Sequence, residues 1–374
     1  MPSIRNVLVV GGGAAGCAAA ILFARDGAAV DLIEVKPDLS ALGSGITVQG
    51  NALRVLRQLG VWDEVSAAGY AFNTLGLRTP DGTLLVEMED VRTGGPGLPA
   101  TVGMYRPALA RILTDAAAAA GTKLRYGTTV QSLNPDAGGV DVTFADGASS
   151  RYDLVIGADG VRSQVRSLLG IELETRPTGM GIWRVFTSRP DSVTRTDLYY
   201  HGACYIAGYC PTAEDSLYAY LVEDAQDRAH LTPAERLEVM RGLASHYHGP
   251  WDDIRDRMTD PGTINYTRFE SHLLPPPWNR GRVVLIGDAV HTCPPTIAQG
   301  AAMALEDAAV LADVLLAADS LDQTAFDAFA ARRYDRVRTV VEESVQLGQW
   351  MLDGVEGNVP ALMGKVMGLV SQPA

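Results

Sequence analysis

Asp288 stands just after the apolar run Val283 to Ile286 and a glycine, and a loop stiffened by Pro294-Pro295 leads from it to Gly300, which opens an alanine-rich helix. A helix N-terminus exposes unpaired backbone N–H groups and about half a positive charge, so it favours a negative charge docked there. An acid at a strand end, with a glycine-opened helix aimed at the same spot, could hold a polyhydroxy ligand and stabilise an anionic form of it. Strand–Gly-Asp–loop–helix units also serve as plain connectors, so this segment gains meaning only beside others.

A second acid at a strand end is Glu34. The N-terminal stretch NVLVVGGGAAGCAAAILFARDGAAVDLIEVKP reads as strand, glycine turn, helix and strand, with Gly11, Gly13 and Gly16 fitting GxGxxG directly after the apolar strand Val7 to Val10. Ala20 keeps the next turn small, Gly27 ends the helix, and Glu34 closes the strand Ala29 to Ile33. This unit suits a dinucleotide: glycines for the turn and close pyrophosphate approach, an acid for the ribose hydroxyls. A glutamate there disfavours a 2′-phosphate, which leaves FAD or NAD.

A third element separates those two. Residues 152–166, YDLVIGADGVRSQVR, form a strand (Leu154 to Ile156) ending in Gly157-Ala158-Asp159-Gly160, with Arg162, Ser163 and Arg166 expected on a new helix. Taken together, GxGxxG with its acid, GADGVRS and GDAVH…P…G, in this order and at wide spacing, the chain resembles the class A flavin-dependent monooxygenases, typified by p-hydroxybenzoate and salicylate hydroxylases. The resemblance covers nearly the whole chain. It implies bound FAD, with Gly11, Gly13, Gly16 and Glu34 on its ADP half, Asp159 touching FAD and the nicotinamide donor, and Arg162 supporting that loop. Asp288 would bond the ribityl chain, while Pro295 and the Gly300 helix would lie along the isoalloxazine. Arg106, in GMYRPALARIL, matches a family arginine that contacts the flavin, and Pro107 suits the first helical turn after it. The implied cofactor contacts also take in Ala14, Ala15, Val35, Lys36, Gly45, Val130, Gly160, Gly287 and Ala301.

One departure is visible. Several relatives place an arginine just before the pair matching Gly45-Ile46, where this chain has Leu42-Gly43-Ser44. For the substrate side, Arg184 in GIWRVF sits where urate and salicylate hydroxylases often place a tryptophan–arginine pair. The runs DLYYHGACYIAGYCP and SLYAYLVED alternate as strands do, so Tyr205, Ala207 and Tyr209 are expected on one face and Tyr218 with Tyr220 on another. An aromatic-lined sheet could wall a pocket for a planar substrate. Arg184, Tyr205, Tyr209, Pro295 and Gly300 are therefore the residues expected at the reacting centre. No histidine spacing suggests a metal, and His291 is expected to brace its loop rather than act as a base.

The elements that must position these residues follow from length and composition. A chain of 374 residues exceeds the usual single-domain size, and its 47% hydrophobic content can fill a large core. The expected class is α/β: an FAD-binding Rossmann-like domain built from 1–72, 100–175 and 270–320, interleaved with a smaller sheet-rich substrate domain from 73–99 and 176–269, and closed by a helical region over 321–374. A net charge of −13 argues against nucleic acid. The four cysteines show no zinc or disulfide spacing, and the first strand begins by residue 5, leaving no room for a signal peptide. The apolar run Ala301 to Ala318 is broken by Glu306, Asp307 and Asp313, which suits a packed helix rather than a membrane span. A cytoplasmic monomer or homodimer is the expectation.

The activity this implies is NAD(P)H- and O2-dependent hydroxylation of an aromatic or other electron-rich small molecule through a C4a-hydroperoxyflavin. A reductase or dehydrogenase of the same fold, or a non-catalytic flavin-binding sensor, are the alternatives. NADH versus NADPH, and hydroxylation versus Baeyer–Villiger insertion or epoxidation, are not decided by these residues.

Overall fold

Four of the five residues of the strand Asn6–Val10 are buried, and a strand apolar on both faces belongs in the middle of a parallel sheet covered on both sides. That is its place. Asn6–Val10 pairs in parallel with Ala29–Glu34 on one side and Leu154–Gly157 on the other. Lys123–Tyr126 and Val283–Leu285 extend the sheet in parallel, and Asn279–Arg280 closes it as a short antiparallel edge. The computed structural model describes residues 4–38 and 44–374. Leu42 and Gly43 of the sequence departure therefore lie outside the described residues, whereas Ser44 is buried and its carbonyl accepts the Arg106 N–H at 3.0 Å.

Helix Ala14–Arg25 packs against helix Gly300–Ala317 on one face of this sheet, and the small residues Ala15, Ala18, Ala19 and Ala20 permit the close approach. A three-stranded antiparallel sheet (130–135, 140–144, 149–152) and a second one (45–49, 70–72, 101–105) flank the unit. The other half is an eight-stranded sheet, in order 291–292, 264–273, 176–188, 216–224, 206–211, 196–199, 74–78 and 84–89. Its long central strand Arg176–Ser188 shows why both of its faces are covered. Trp183 and Val185 point into a core with Tyr209, Tyr247 and Trp251 beneath helices Pro233–Ala244 and Pro250–Arg257. Met180 and Ile182 point the other way, toward Tyr200, Tyr220, Met351 and Leu352. Helices Gln323–Asp353 and Val359–Ser371 finish the chain. The α/β class, the Rossmann-like half, the sheet-rich half and the C-terminal helices expected from the sequence are present. Among the described residues no helix is long and apolar enough to cross a membrane.

One feature of the core was not anticipated. Glu306 and Asp307, buried in the middle of helix Gly300–Ala317, meet Arg333 and Arg336 of the long C-terminal helix. Arg333 donates from Nε to Asp307 at 2.8 Å and from Nη1 to Glu306 at 2.9 Å, and Arg336 reaches Glu306 through two 2.8 Å bonds. Arg54 stands 3.5 Å from the same carboxylate and, like Arg336, donates to the carbonyls of Val370 and Gln372 at the end of the last helix. Such a cluster is tolerated in the interior only because nearly every donor and acceptor is matched. Removing one member leaves buried charge uncompensated. Glu306→Gln is therefore expected to destabilise the protein by about 3–5 kcal/mol in urea denaturation; a loss below about 1 kcal/mol, the range of an exposed ion pair, would contradict this account.

Candidate active site

Each parallel strand delivers its loop to the carboxyl edge of the sheet, and three such loops converge there: Gly11–Gly13, Ala158–Gly160 and Gly287–Asp288. Gly11, at φ +108°, lies so close to the Ala158–Asp159 backbone that a Cβ would collide with it. Gly16 likewise presses on the Gly11 carbonyl. Gly13 differs: a Cβ built there meets nothing within 4 Å, and Gly13 caps helix Ala14–Arg25 without any side-chain hydrogen bond. The helix start at Ala14, Ala15 and Gly16 thus faces open space with its first N–H groups uncapped. Glu34 spans the turn, accepting from Gly12 N–H at 2.8 Å and Lys36 N–H at 2.9 Å. Beside it Val35 is 65% exposed, an unusual state for a valine at a strand end. Val130 is buried, with its carbonyl taken by the Gln164 side chain at 2.9 Å.

In the second loop Asp159 accepts from Ser163 Oγ at 2.5 Å and Val165 N–H at 2.9 Å, while Gly160 turns the chain at φ +82°. The helix here runs only from Gln164 to Leu168 with Ser163 as its cap, so Arg162 precedes it. Arg162 is exposed and makes no hydrogen bond to another described residue. The arginine that braces the loop is Arg166, which is buried and donates to Val161 O at 2.9 Å and to Ala289 O at 2.8 Å, tying the second loop to the third. Both arginines fit a helix start in the sequence; the one a turn later points inward, and Arg162 stays at the surface.

The third loop is clamped from behind. Asp307 Oδ2 accepts the Gly287 N–H at 2.9 Å and bonds His291 Nε2 at 2.6 Å. Burial by itself would raise the Asp307 carboxyl; His291 and Arg333 outweigh it and hold it below its ordinary range. Gly287, at φ +61°, leaves room for Ala15 and Ala304 where the two helices meet. Asp288 itself makes no side-chain hydrogen bond to any described residue, and burial pushes its carboxyl up despite His291 and Arg106 nearby. Beyond it, Pro295–Ile297 makes a tight turn and Ala298 adopts a left-handed φ of +54°. The Gln49 side chain holds this strained backbone through Ile297 O at 3.1 Å, and Gln299 bonds both Gln49 and Asn51. Gly300 then starts its helix with no side-chain cap and nothing within 4 Å of where its Cβ would be; Ala301 is half-buried.

The wall opposite belongs to the large sheet. Arg184, Tyr200, Tyr220, Asp288 and Cys293 all keep some accessible surface, yet burial is the dominant influence on each. Each is surrounded by protein while keeping some access to solvent. Burial lowers Arg184 to about 10, with Tyr218 opposing and Arg106 adding to the shift, so these two arginines and Asp288 share one neighbourhood. Arg184 donates to Thr267 Oγ1 at 2.8 Å. Tyr218 stacks on Tyr220 at 5.4 Å and bonds Thr47, and its ring lies where a Gly45 side chain would be, which gives that glycine a packing reason. Tyr209 stands apart from the other expected tyrosines, whereas Tyr205 packs in one cluster with Tyr200 and Tyr220. The run read as one strand is two, Thr196–Tyr199 and Ile206–Pro211, broken by a turn at His201 with φ +62°. Tyr209 faces the far core and donates to Asp197 at 2.7 Å; Tyr205 precedes the strand and is held by Asp224 at the sheet end. On the side of Tyr218 and Tyr220, Tyr200 and Tyr205 join from the turn.

A glycine cradle beside one uncapped helix, an unpartnered acid before another and a ribose-seeking glutamate define a dinucleotide-binding α/β protein. The FAD binding domain family model matches residues 5–344, and the chain belongs to this family, as an FAD-dependent monooxygenase of the class A aromatic hydroxylase type. It is 31% identical over 358 residues to YetM of Bacillus subtilis (strain 168), provisionally named an FAD-dependent monooxygenase, covering 95% of this chain and 96% of that one. It is 32% identical over 361 residues to 6-hydroxynicotinate 3-monooxygenase of Pseudomonas fluorescens, covering 91% and 90%. Klebsiella pneumoniae HpxO, solved with FAD and uric acid, shares the fold at a TM-score of 0.83 and 22% identity, over 99% of this chain and 94% of that chain.

Two outcomes test this geometry. Gly13→Val adds a side chain only to open space, at a helix-cap cost of about 1 kcal/mol, so the variant is expected to fold and to lose FAD; Gly16→Val should lose the fold itself. Unchanged flavin absorbance in folded Gly13→Val would remove the pyrophosphate from that turn. Separately, burial depresses His272 from 6.5 to about 4, its ring bonding Asp288 O at 2.9 Å and Thr175 at 2.8 Å. The unfolded chain therefore takes up a proton that the folded chain refuses, and stability should fall as pH drops from about 6.5 toward 4. Urea titrations across that window should show a shallower slope for His272→Gln; an identical slope would place the dependence elsewhere.

Proposed function

We propose that the chain hydroxylates an electron-rich aromatic molecule carrying an acidic or strongly polar substituent, using NADH or NADPH and O2. The observation that carries this reading is the proximity of Arg184 to Arg106 and Tyr218, with Tyr218 stacked on Tyr220 and Arg106 near Asp288, ahead of the uncapped Gly300 helix. Bound FAD would supply the electron-carrying and oxygen-activating chemistry there. The residues present fit it. Glu34 would accept from the ribose hydroxyls of the adenosine, Val35 would offer its exposed face to the adenine, and the Ala14 helix start at Gly13 would receive the pyrophosphate. Asp288, lacking a protein donor, would take a ribityl hydroxyl. The Gly300 helix start favours negative charge beside it, which suits a reduced, anionic ring system.

On the other wall, flat phenol rings suit a flat substrate. Arg184, bonded to Thr267 through one nitrogen, keeps other donors for an anionic substituent, while the open hydroxyls of Tyr200 and Tyr220 can orient a polar one. Met351 and Leu352 from the long helix make the deep end apolar and help exclude water. The substrates named for the relatives, 6-hydroxynicotinate and the uric acid bound to HpxO, are planar rings able to carry negative charge, which supports the reading.

A panel of phenols and hydroxylated heteroaromatic acids should contain compounds that speed NAD(P)H oxidation and leave a product one oxygen heavier by mass spectrometry. With such a compound, Arg184→Gln should raise KM about tenfold or more, the loss of one charge-assisted hydrogen bond, and leave FAD content intact. Stoichiometric hydrogen peroxide with every panel compound unmodified would defeat the proposal.

A further inference from the structure

On the face of the large sheet turned away from Arg184, three arginines converge where the chain supplies too little negative charge to satisfy them. Residues of the strand Ile264–Leu273 alternate: Thr267 points to the Arg184 side, whereas Tyr266 packs on Trp183 at 4.8 Å on the opposite side. Around Tyr266, a concavity of about 170 Å³ is lined by Arg228, Arg236 and Arg268, with Asp227 at its margin. Arg228 lies over the Trp183 ring and donates to Glu223 at 3.0 Å, but Glu223 also serves the Trp183 indole N–H at 2.9 Å. Asp227 turns back to the Ala229 N–H at 3.2 Å. Neither Arg236 nor Arg268 has an acidic partner among the described residues, although the chain carries an excess of acids. The Nε–H groups of both Arg228 and Arg236 are buried without any acceptor. Buried donors of charged groups are seldom left so, and an unseen ion is one of the few explanations. The buried Arg333 and Arg336, by contrast, each meet a carboxylate, while Arg228 and Arg236 are half-buried and Arg268 is exposed at the rim.

We propose that this concavity is an oxyanion site for a phosphate monoester group, separate from the site around Arg184. Three guanidiniums present planar forks suited to phosphate oxygens, and the concavity is large enough for a phosphoryl group and too small for a whole nucleotide. The phosphate could be free or be the exposed end of a larger molecule such as a nucleoside 2′-phosphate. Because Trp183 and Arg184 are neighbours on one strand, an occupied site would sit directly behind the residue proposed to hold substrate.

Isothermal titration of the FAD-loaded full chain with orthophosphate, against chloride at equal ionic strength, tests the site. One phosphate per chain is expected, weakened about tenfold by Arg236→Gln and by Arg268→Gln singly, about the effect of one charge-assisted bond. Flavin content should be unchanged in both, and Arg268→Lys should recover part of the affinity. Tighter binding of adenosine 2′-phosphate than of orthophosphate would identify a nucleotide end as the natural ligand; equal affinity would identify the bare phosphate. Absence of binding above the chloride control, or full binding in the Arg236→Gln/Arg268→Gln double variant, would overturn the proposal. Loss of substrate-stimulated activity with intact phosphate binding would bear on Arg184 alone.

Discussion

A single buried carboxylate, that of Asp307, fixes the geometry on which the site depends. It receives the Gly287 N–H, His291 and the Arg333 Nε at once. The Gly-Asp loop, the histidine three residues beyond it and the long C-terminal helix are thereby referred to one point in the middle of helix Gly300–Ala317. A carboxylate in so dry a setting is stable only if it stays ionised against matched donors. Any movement of the loop that opened one of those bonds would leave charge exposed to an apolar interior. Asp288, the half-buried acid after that glycine, is thus positioned by a neighbour to which it makes no hydrogen bond.

The same logic of opposed faces organises the large sheet. Side chains one apart along Arg176–Ser188 serve different masters: Trp183 roofs a core closed by two helices, and Arg184 projects to the opposite face, where it bonds Thr267. The buried Asp197, bonded by Arg78, Arg195 and Tyr209, ties three strands of the far face together.

Much of this was legible in the residues, because it rests on local rules. The glycine turn, Glu34 and the strand-ending acids follow from backbone sterics and helix electrostatics, which act over a few residues. What escaped was set by distant partners. Alternation places Tyr209 on a face but does not say that this face is the one closed by Tyr247 and Trp251, and the break at His201 puts Tyr205 on the other face, beside Tyr200 and Tyr220. Arg162 and Arg166 are indistinguishable until helix Gln164–Leu168 is placed against Ala289. Glu306 and Asp307 looked like interruptions of an apolar helix, since their partners lie in a helix begun later in the chain. A signal did exist: two adjacent acids inside an otherwise apolar segment require buried cations, and Arg333 and Arg336 have the spacing of one helical face.

The long helix Gln323–Asp353 reaches from this charge cluster to the large sheet. From Arg333 to Met351 it extends about 27 Å at a rise of roughly 1.5 Å per residue. Its Arg333 end is pinned by ion pairs that admit little variation, while its last turns meet the sheet through apolar contacts, Met351 and Leu352 among them. The helix works as a fixed ruler with an exchangeable tip, its last turn tolerating changes that the cluster at the other end does not.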